Sequence, residues 1–235
     1  MIPFFSFSDS SFDPYTIEHF GPILLGVFVA TSSIFLANRY LPESGKTKLG
    51  TVLASVPFIC IVGRMSFLAV NTNFDVKLDL PLFLCRFMAL ILPFVFYTRN
   101  RLWLGILYFW VFAGTINAVI TPDLIHPPGH WEYSLYWIYH LMLIVSIVYG
   151  VFVYKFKITW KDYRNAVIAT IVFTILSGLV NIALKANYNY LSAKPEVASL
   201  LDHMGPWPYY IISVYGLMFF LFFLALLPYL RKGRT

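Results

Sequence analysis

The chain has 235 residues, of which 59% are hydrophobic, 19% aromatic and only 12% charged. A soluble domain carries roughly 25% charged residues, and the mean hydropathy here is +0.73, which excludes a water-soluble enzyme or binding module. The formal net charge of +6 reads as a bias of membrane-protein loops, so no nucleic-acid partner is expected.

Residues 1–18 lack a basic segment and contain Asp9, Asp13 and Glu18, so no cleavable signal peptide is expected and the first apolar stretch serves as the insertion signal. Apolar runs of roughly 20 residues, enough to cross a bilayer, predict seven spans at 19–39, 49–71, 79–98, 102–121, 133–154, 164–185 and 207–229. Lysines and arginines mark one set of alternate loops: Arg39, Lys46 and Lys48, then Arg99 and Arg101, then Lys155 to Arg164, then the tail after 230. The other set holds Lys77, Lys185 and Lys194. By the positive-inside rule the N-terminus is outside and the C-terminus cytoplasmic. The expected architecture is an all-α, polytopic seven-transmembrane-helix bundle, one domain over 1–235, in a bacterial plasma membrane with lipids as partners. Cys60 and Cys85 both fall in spans, so no disulfide is expected.

This topology gives each intramembrane polar residue a depth, at a rise of about 1.5 Å per residue. Arg64, Cys85, Arg86 and His140 fall roughly 10 Å below the outer ends of their spans. Asn117 and Asn181 sit about one turn from the outer end, and His19, His126, His130 and His203 at or near the outer surface. Ionisable side chains in spans face a bundle interior or a wet cavity, so a polar, cationic cavity open to the outer leaflet is expected. Arg64 and Arg86, with no acid deep in any span, either hold an anion such as a lipid phosphate or snorkel to Asp75 or Asp79. Thr170, Thr174, Ser177 and Asn181 share a face of the sixth span, as hydroxyl glue between helices with Asn181 turned to the cavity. Cys85 is either a packing thiol or a nucleophile served by His140, whereas Cys60 is assigned no role. His126, His130, Glu132 and His140 match no standard zinc spacing, so neither metal nor cofactor is expected. A seventh span without lysine excludes a retinal Schiff base.

Several landmarks occur in order: "LPLFLC" (80–85), "ITPDL" (120–124), "YWIYH" (136–140), "NYNYLSAKP" (187–195) and "SLLDHMGPWPYYI" (199–211), with "FDPYTIEHF" (12–20) and its His19 at the start. Together they resemble the bacterial YwaF-type integral membrane family over nearly the whole chain. That family is related to a eukaryotic transmembrane family with a proposed lipid acyltransferase acting on ether phospholipids. The resemblance implies Cys85 and His140 as the catalytic pair. Phe83 stands where bacterial members typically carry a histidine, and the eukaryotic cysteine corresponds to Leu82, three residues from Cys85 and nearly one turn away on the same expected helix face. The functional expectation is a lipid-modifying enzyme of acyl-transfer type. Arg64 and Arg86 would take a head-group phosphate, with Asn117, Asn181 and His19 as further binding residues. The alternative is a non-enzymatic lipid- or anion-binding protein or a small transporter.

Overall fold

A computed structural model describes residues 12–195 and 200–230; the opening segment with Asp9 and the basic tail after 230 lie outside the described residues. The fold is all helical, and no strand occurs among the described residues. Its helices are α1 Ile17–Tyr40, α2 Glu43–Val70, α3 Leu84–Thr98, α4 Arg101–Ile120, α5 Trp131–Tyr154, α6 Trp160–Leu184 and α7 Tyr209–Leu230. All but α3 are long and apolar enough to cross a membrane. The protein is a polytopic membrane protein.

The helix ends follow from local chemistry. Thr16 caps α1 by accepting from the Glu18 amide, and Asn100 caps α4 by accepting from the Trp103 amide. Thr159 and Asp162 form a reciprocal capping box at the start of α6, which satisfies two amide donors that the first helical turn leaves free. Arg101 then clamps the Asp162 carboxylate with both terminal nitrogens, at 2.8 and 2.7 Å, and ties α4 to α6. Gly105 is required there, because a Cβ at that position would lie 2.5 Å from Asp162 Oδ1.

Six expected spans agree with helices to within a few residues at most ends, but the third does not. The expected span 79–98 is a helix only from Leu84. Its 15 residues reach about 22 Å, short of a hydrocarbon core of roughly 30 Å. Pro81 interrupts the pattern, and residues 75–83 form a tight loop instead. Bare loop backbone at membrane depth survives only when protein satisfies its polar groups. The segment after α6 does this. Tyr188 accepts from the Leu80 amide and donates to the Val76 carbonyl. Asn189 accepts from the Leu84 amide and donates to the Leu82 carbonyl. The motif "NYNY" is therefore a brace for the loop before α3.

The main core lies among α2, α3, α4 and α5, around fully buried Leu92, Phe96, Leu107, Phe109, Trp110 and Leu143. In a bilayer the lipid tails are as apolar as these side chains, so close van der Waals packing between the helices holds this core together. Two π-helical turns interrupt this layer, Val111–Thr115 in α4 and Gly150–Tyr154 at the end of α5. The first faces the cavity described next.

Candidate functional site: a cationic cavity at the head of α3

A cavity of about 540 Å³ is walled by α2 to α7 and by the segments 121–130, 187–195 and 200–204. Its volume lies in the range of small-molecule sites, roughly 300–1,000 Å³. Arg64, Cys85, Arg86, Asn117 and His140 all line it. The expected polar cluster is thus one site in space, although its members come from four helices.

Cys85 and Arg86 sit in the first turn of α3, because the helix begins at Leu84. They are not two turns down a longer helix, as the expected span had implied. Leu82 lies outside the helix, so Leu82 and Cys85 do not share a helix face. The Phe83 side chain gives α3 no cap. Among the described residues, the amides of Cys85 and Arg86 donate to no acceptor. The Cys85 thiol lies 3.7 Å from the hydroxyl of buried Thr115, a residue that the π-turn of α4 presents to α3. Such turns recur at functional sites.

His140 is 3% exposed. Its Nδ1 lies 2.9 Å from the Tyr136 carbonyl oxygen. A carbonyl only accepts, so the proton sits on Nδ1 and the Nε2 lone pair is left available as a base. Among the described residues Nε2 has no hydrogen-bond partner.

The two arginines differ. Arg64 Nη1 donates to Asp79 Oδ1 at 2.7 Å, and Nη2 to Glu132 Oε1 at 3.4 Å. The side chains of Arg64 and Asp79 are 14% and 7% exposed, so this is a largely buried ion pair. Asp79 also accepts from the Asp75 amide through its other oxygen. Arg64 is therefore neutralised within the protein, as one of the two alternatives anticipated. Arg86 donates to the Leu78 carbonyl at 2.6 Å and lies over the Phe83 ring at 4.9 Å. Among the described residues no carboxylate pairs with it. Arg86 thus brings to the cavity wall a charge that no carboxylate among the described residues balances.

The remaining expected site residues have structural partners. His19 is 2% exposed and bonds the Val119 carbonyl through Nε2 and the Tyr15 amide through Nδ1. It ties α1 to α4 and is not part of the cavity wall. Asn181 is also away from the wall, with both amide atoms bonded to the Tyr188 backbone. Asn117 stays on the wall, its Nδ2 held by the Ala113 carbonyl at 2.6 Å. The α6 hydroxyls act between helices: Thr170 accepts from the Trp110 indole at 2.8 Å, and Thr174 bonds Tyr215 of α7 at 2.6 Å. Cys60 packs against the core, and the described cysteines form no disulfide.

Sequence reasoning considered His126, His130 and Glu132 only as metal ligands and did not place this rim on the cavity. Asp123, His126, Glu132 and Tyr190 line the cavity, and the Tyr190 hydroxyl donates to Asp123. The His126 and His130 rings stack at 3.9 Å. His130 Nδ1 accepts from the Glu132 amide and so caps α5. Burial and the neighbouring His126 hold the His130 imidazole below its ordinary pKa. Burial raises the Tyr190 phenol, reinforced by its hydrogen bond to Asp123. No group of three metal-ligating side chains occurs among the described residues.

No solved structure matches this chain. An uncharacterized protein of Treponema pallidum (strain Nichols) is similar to it, 24% identical over 151 residues. The match covers 64% of this chain and 63% of that relative, so the chain spans just under two thirds of the relative's length. The model of the TMEM164 family matches residues 14–226, which takes in every described helix but the last four residues of α7 and the whole cavity wall: the chain belongs to the TMEM164 family.

Proposed function

We propose that the protein is a lipid-modifying enzyme that moves an acyl group between phospholipids through Cys85 and His140. What carries the reading is that a thiol in the first turn of α3 and a buried imidazole with a free Nε2 line one cavity, beside an arginine with no carboxylate among the described residues. His140 Nε2 takes the Cys85 proton as the sulfur attacks an ester carbonyl of the donor lipid. The carbon–sulfur bond forms, the ester carbon–oxygen bond breaks, and the leaving lipid oxygen receives the proton from His140. The hydroxyl of an acceptor lysophospholipid then gives its proton to His140 and attacks the thioester. The sulfur leaves as thiolate and recovers the proton. Such a covalent relay divides one difficult step into two easier ones. A thiolate at this position faces the positive end of the α3 dipole, and the Arg86 guanidinium fits a head-group phosphate. Asn117 is an additional donor to the bound lipid.

The loop charges support an N-terminus outside and a cytoplasmic C-terminus, which opens the cavity to the outer leaflet. The ordered motifs quoted above support the YwaF-type branch and residence in a bacterial plasma membrane.

The test is lipid mass spectrometry on membranes and purified protein from wild type, Cys85→Ala and His140→Ala. A changed acyl-chain profile together with an acyl adduct on Cys85, absent from both variants, is the expected result. Identical profiles and the same co-purifying lipid in all three proteins would refute the chemistry and leave a binding or transport cavity.

A further inference from the structure

The cavity contains a polar group that the relay above does not use. Tyr139 lies next to His140 on α5 and is 8% exposed. The other tyrosines on the wall spend their hydroxyls on protein acceptors or partners. Tyr136 donates to the Ala118 carbonyl, Tyr190 to Asp123, Tyr210 to the Tyr190 carbonyl, and Tyr215 bonds Thr174. Tyr139 lines the same cavity, yet its hydroxyl makes no hydrogen bond with any described residue. It is also absent from the fully enclosed orphans, which are Arg99 Nε, Trp137 Nε1 and the Tyr154 hydroxyl. The hydroxyl therefore opens onto the cavity, placed to donate to whatever occupies it.

The second observation comes from the head of α3. The amides of Cys85 and Arg86 point out of the uncapped end of α3 with no acceptor among the described residues. In cysteine and serine acyl-transfer sites generally, an orphan amide at the nucleophile is suited to hold the oxygen of the tetrahedral intermediate. Cys85, Arg86 and Tyr139 all line this one cavity. We propose that the Tyr139 hydroxyl and the Cys85 amide together form the oxyanion hole, donating to the former carbonyl oxygen of the lipid ester while the acyl carbon is bonded to sulfur. The oxygen gains negative charge as the carbon–sulfur bond forms and returns it as the ester bond breaks, and Tyr139 keeps its proton throughout. The ring stays in place through its contacts with His140, at 3.9 Å between centroids, and with Tyr136, at 6.2 Å.

This role rests on the acyl-transfer reading, and the experiment separates the two. Acyl transfer from a labelled diacylphosphatidylcholine to a lysophosphatidylethanolamine is measured in proteoliposomes of wild type, Cys85→Ala and Tyr139→Phe. Tyr139→Phe keeps the ring and removes only the donor. The expected result is a fall in kcat of about 10²–10³-fold, the usual effect of one lost oxyanion donor, with KM within about twofold. Transfer that is absent from wild type, or equal in Cys85→Ala, overturns the relay and the oxyanion hole together. Cys85-dependent transfer with Tyr139→Phe within about threefold of wild type, or with a change confined to KM, overturns the Tyr139 role alone. If Tyr139→Phe melts well below wild type, 3-fluorotyrosine at position 139 replaces it as a stronger donor of similar shape, and an unchanged kcat there overturns the role.

Discussion

Replacing Asp79 by alanine tests whether Arg64 is a structural cation or a ligand-binding one. The substitution removes the 2.7 Å contact to Arg64 and the acceptor for the Asp75 amide. Two unit charges about 4 Å apart attract by about 4 kcal/mol at an effective dielectric near 20, and breaking a buried pair costs roughly 3–5 kcal/mol. Glu132, 3.4 Å from Arg64 and more exposed, remains as a second carboxylate and takes up part of that loss. The lost amide bond adds about 1 kcal/mol. The net expectation is a destabilisation of about 3 kcal/mol. Equilibrium unfolding of the purified protein in mixed micelles reads it, in a double-mutant cycle with Arg64→Met. The coupling should be about 2 kcal/mol, because Arg64→Met also abolishes the interaction that Asp79→Ala removes. A coupling below about 0.5 kcal/mol, with Asp79→Ala close to wild type, would refute the argument. Arg64 would then be free to bind an anion alongside Arg86.

Asn189→Ala removes one acceptor and two donor contacts, to the Leu84 amide, the Leu82 carbonyl and the Ser177 hydroxyl, and should cost about 2–3 kcal/mol; limited proteolysis should then cut first at residues 75–83. Acidification should loosen the start of α5. The lowered native pKa of His130 means that the unfolded chain binds the proton more readily, so this stability is intact above the unfolded imidazole value of about 6.5 and declines as pH falls below it. Hydrogen exchange at the Glu132 amide between pH 7 and 5 checks this, and His130→Asn, which keeps a cap without titrating, should abolish the dependence. Gly105→Ala must push Asp162 away from Arg101, and should lower the thermal midpoint by several degrees. Arg86→Gln should reduce co-purifying phospholipid while leaving that midpoint near wild type, because the described residues offer Arg86 no carboxylate.

The apolar runs by themselves determined a polytopic helical membrane protein, since a backbone in hydrocarbon must satisfy its own hydrogen bonds and only about 20 apolar residues in a helix do so across the bilayer. The spacing of polar residues along those runs also indicated that Arg64, Cys85, Arg86, Asn117 and His140 belong to one depth, and they share one cavity. Asn181 and His19 were expected as binding residues of the cavity, but their partners, the Tyr188 backbone and the Val119 carbonyl, are 7 and 100 positions away, so periodicity could not place them off the wall. The third span looked continuous because Leu80, Leu82 and Phe83 are as apolar as a helix requires. Pro81 was the local warning, and the loop it starts is stable only because Tyr188 and Asn189 supply the missing hydrogen bonds. The π-turn that brings Thr115 to Cys85 has no composition of its own. Tyr139 was hidden for the same reason: a tyrosine in an apolar helix is ordinary, and only the packed structure shows that the other wall tyrosines have hydroxyl partners while its own hydroxyl has none among the described residues. Composition and period act along one chain segment, whereas an uncapped helix end, an arginine with no carboxylate and a phenol with no partner among the described residues are defined by what distant segments do not supply.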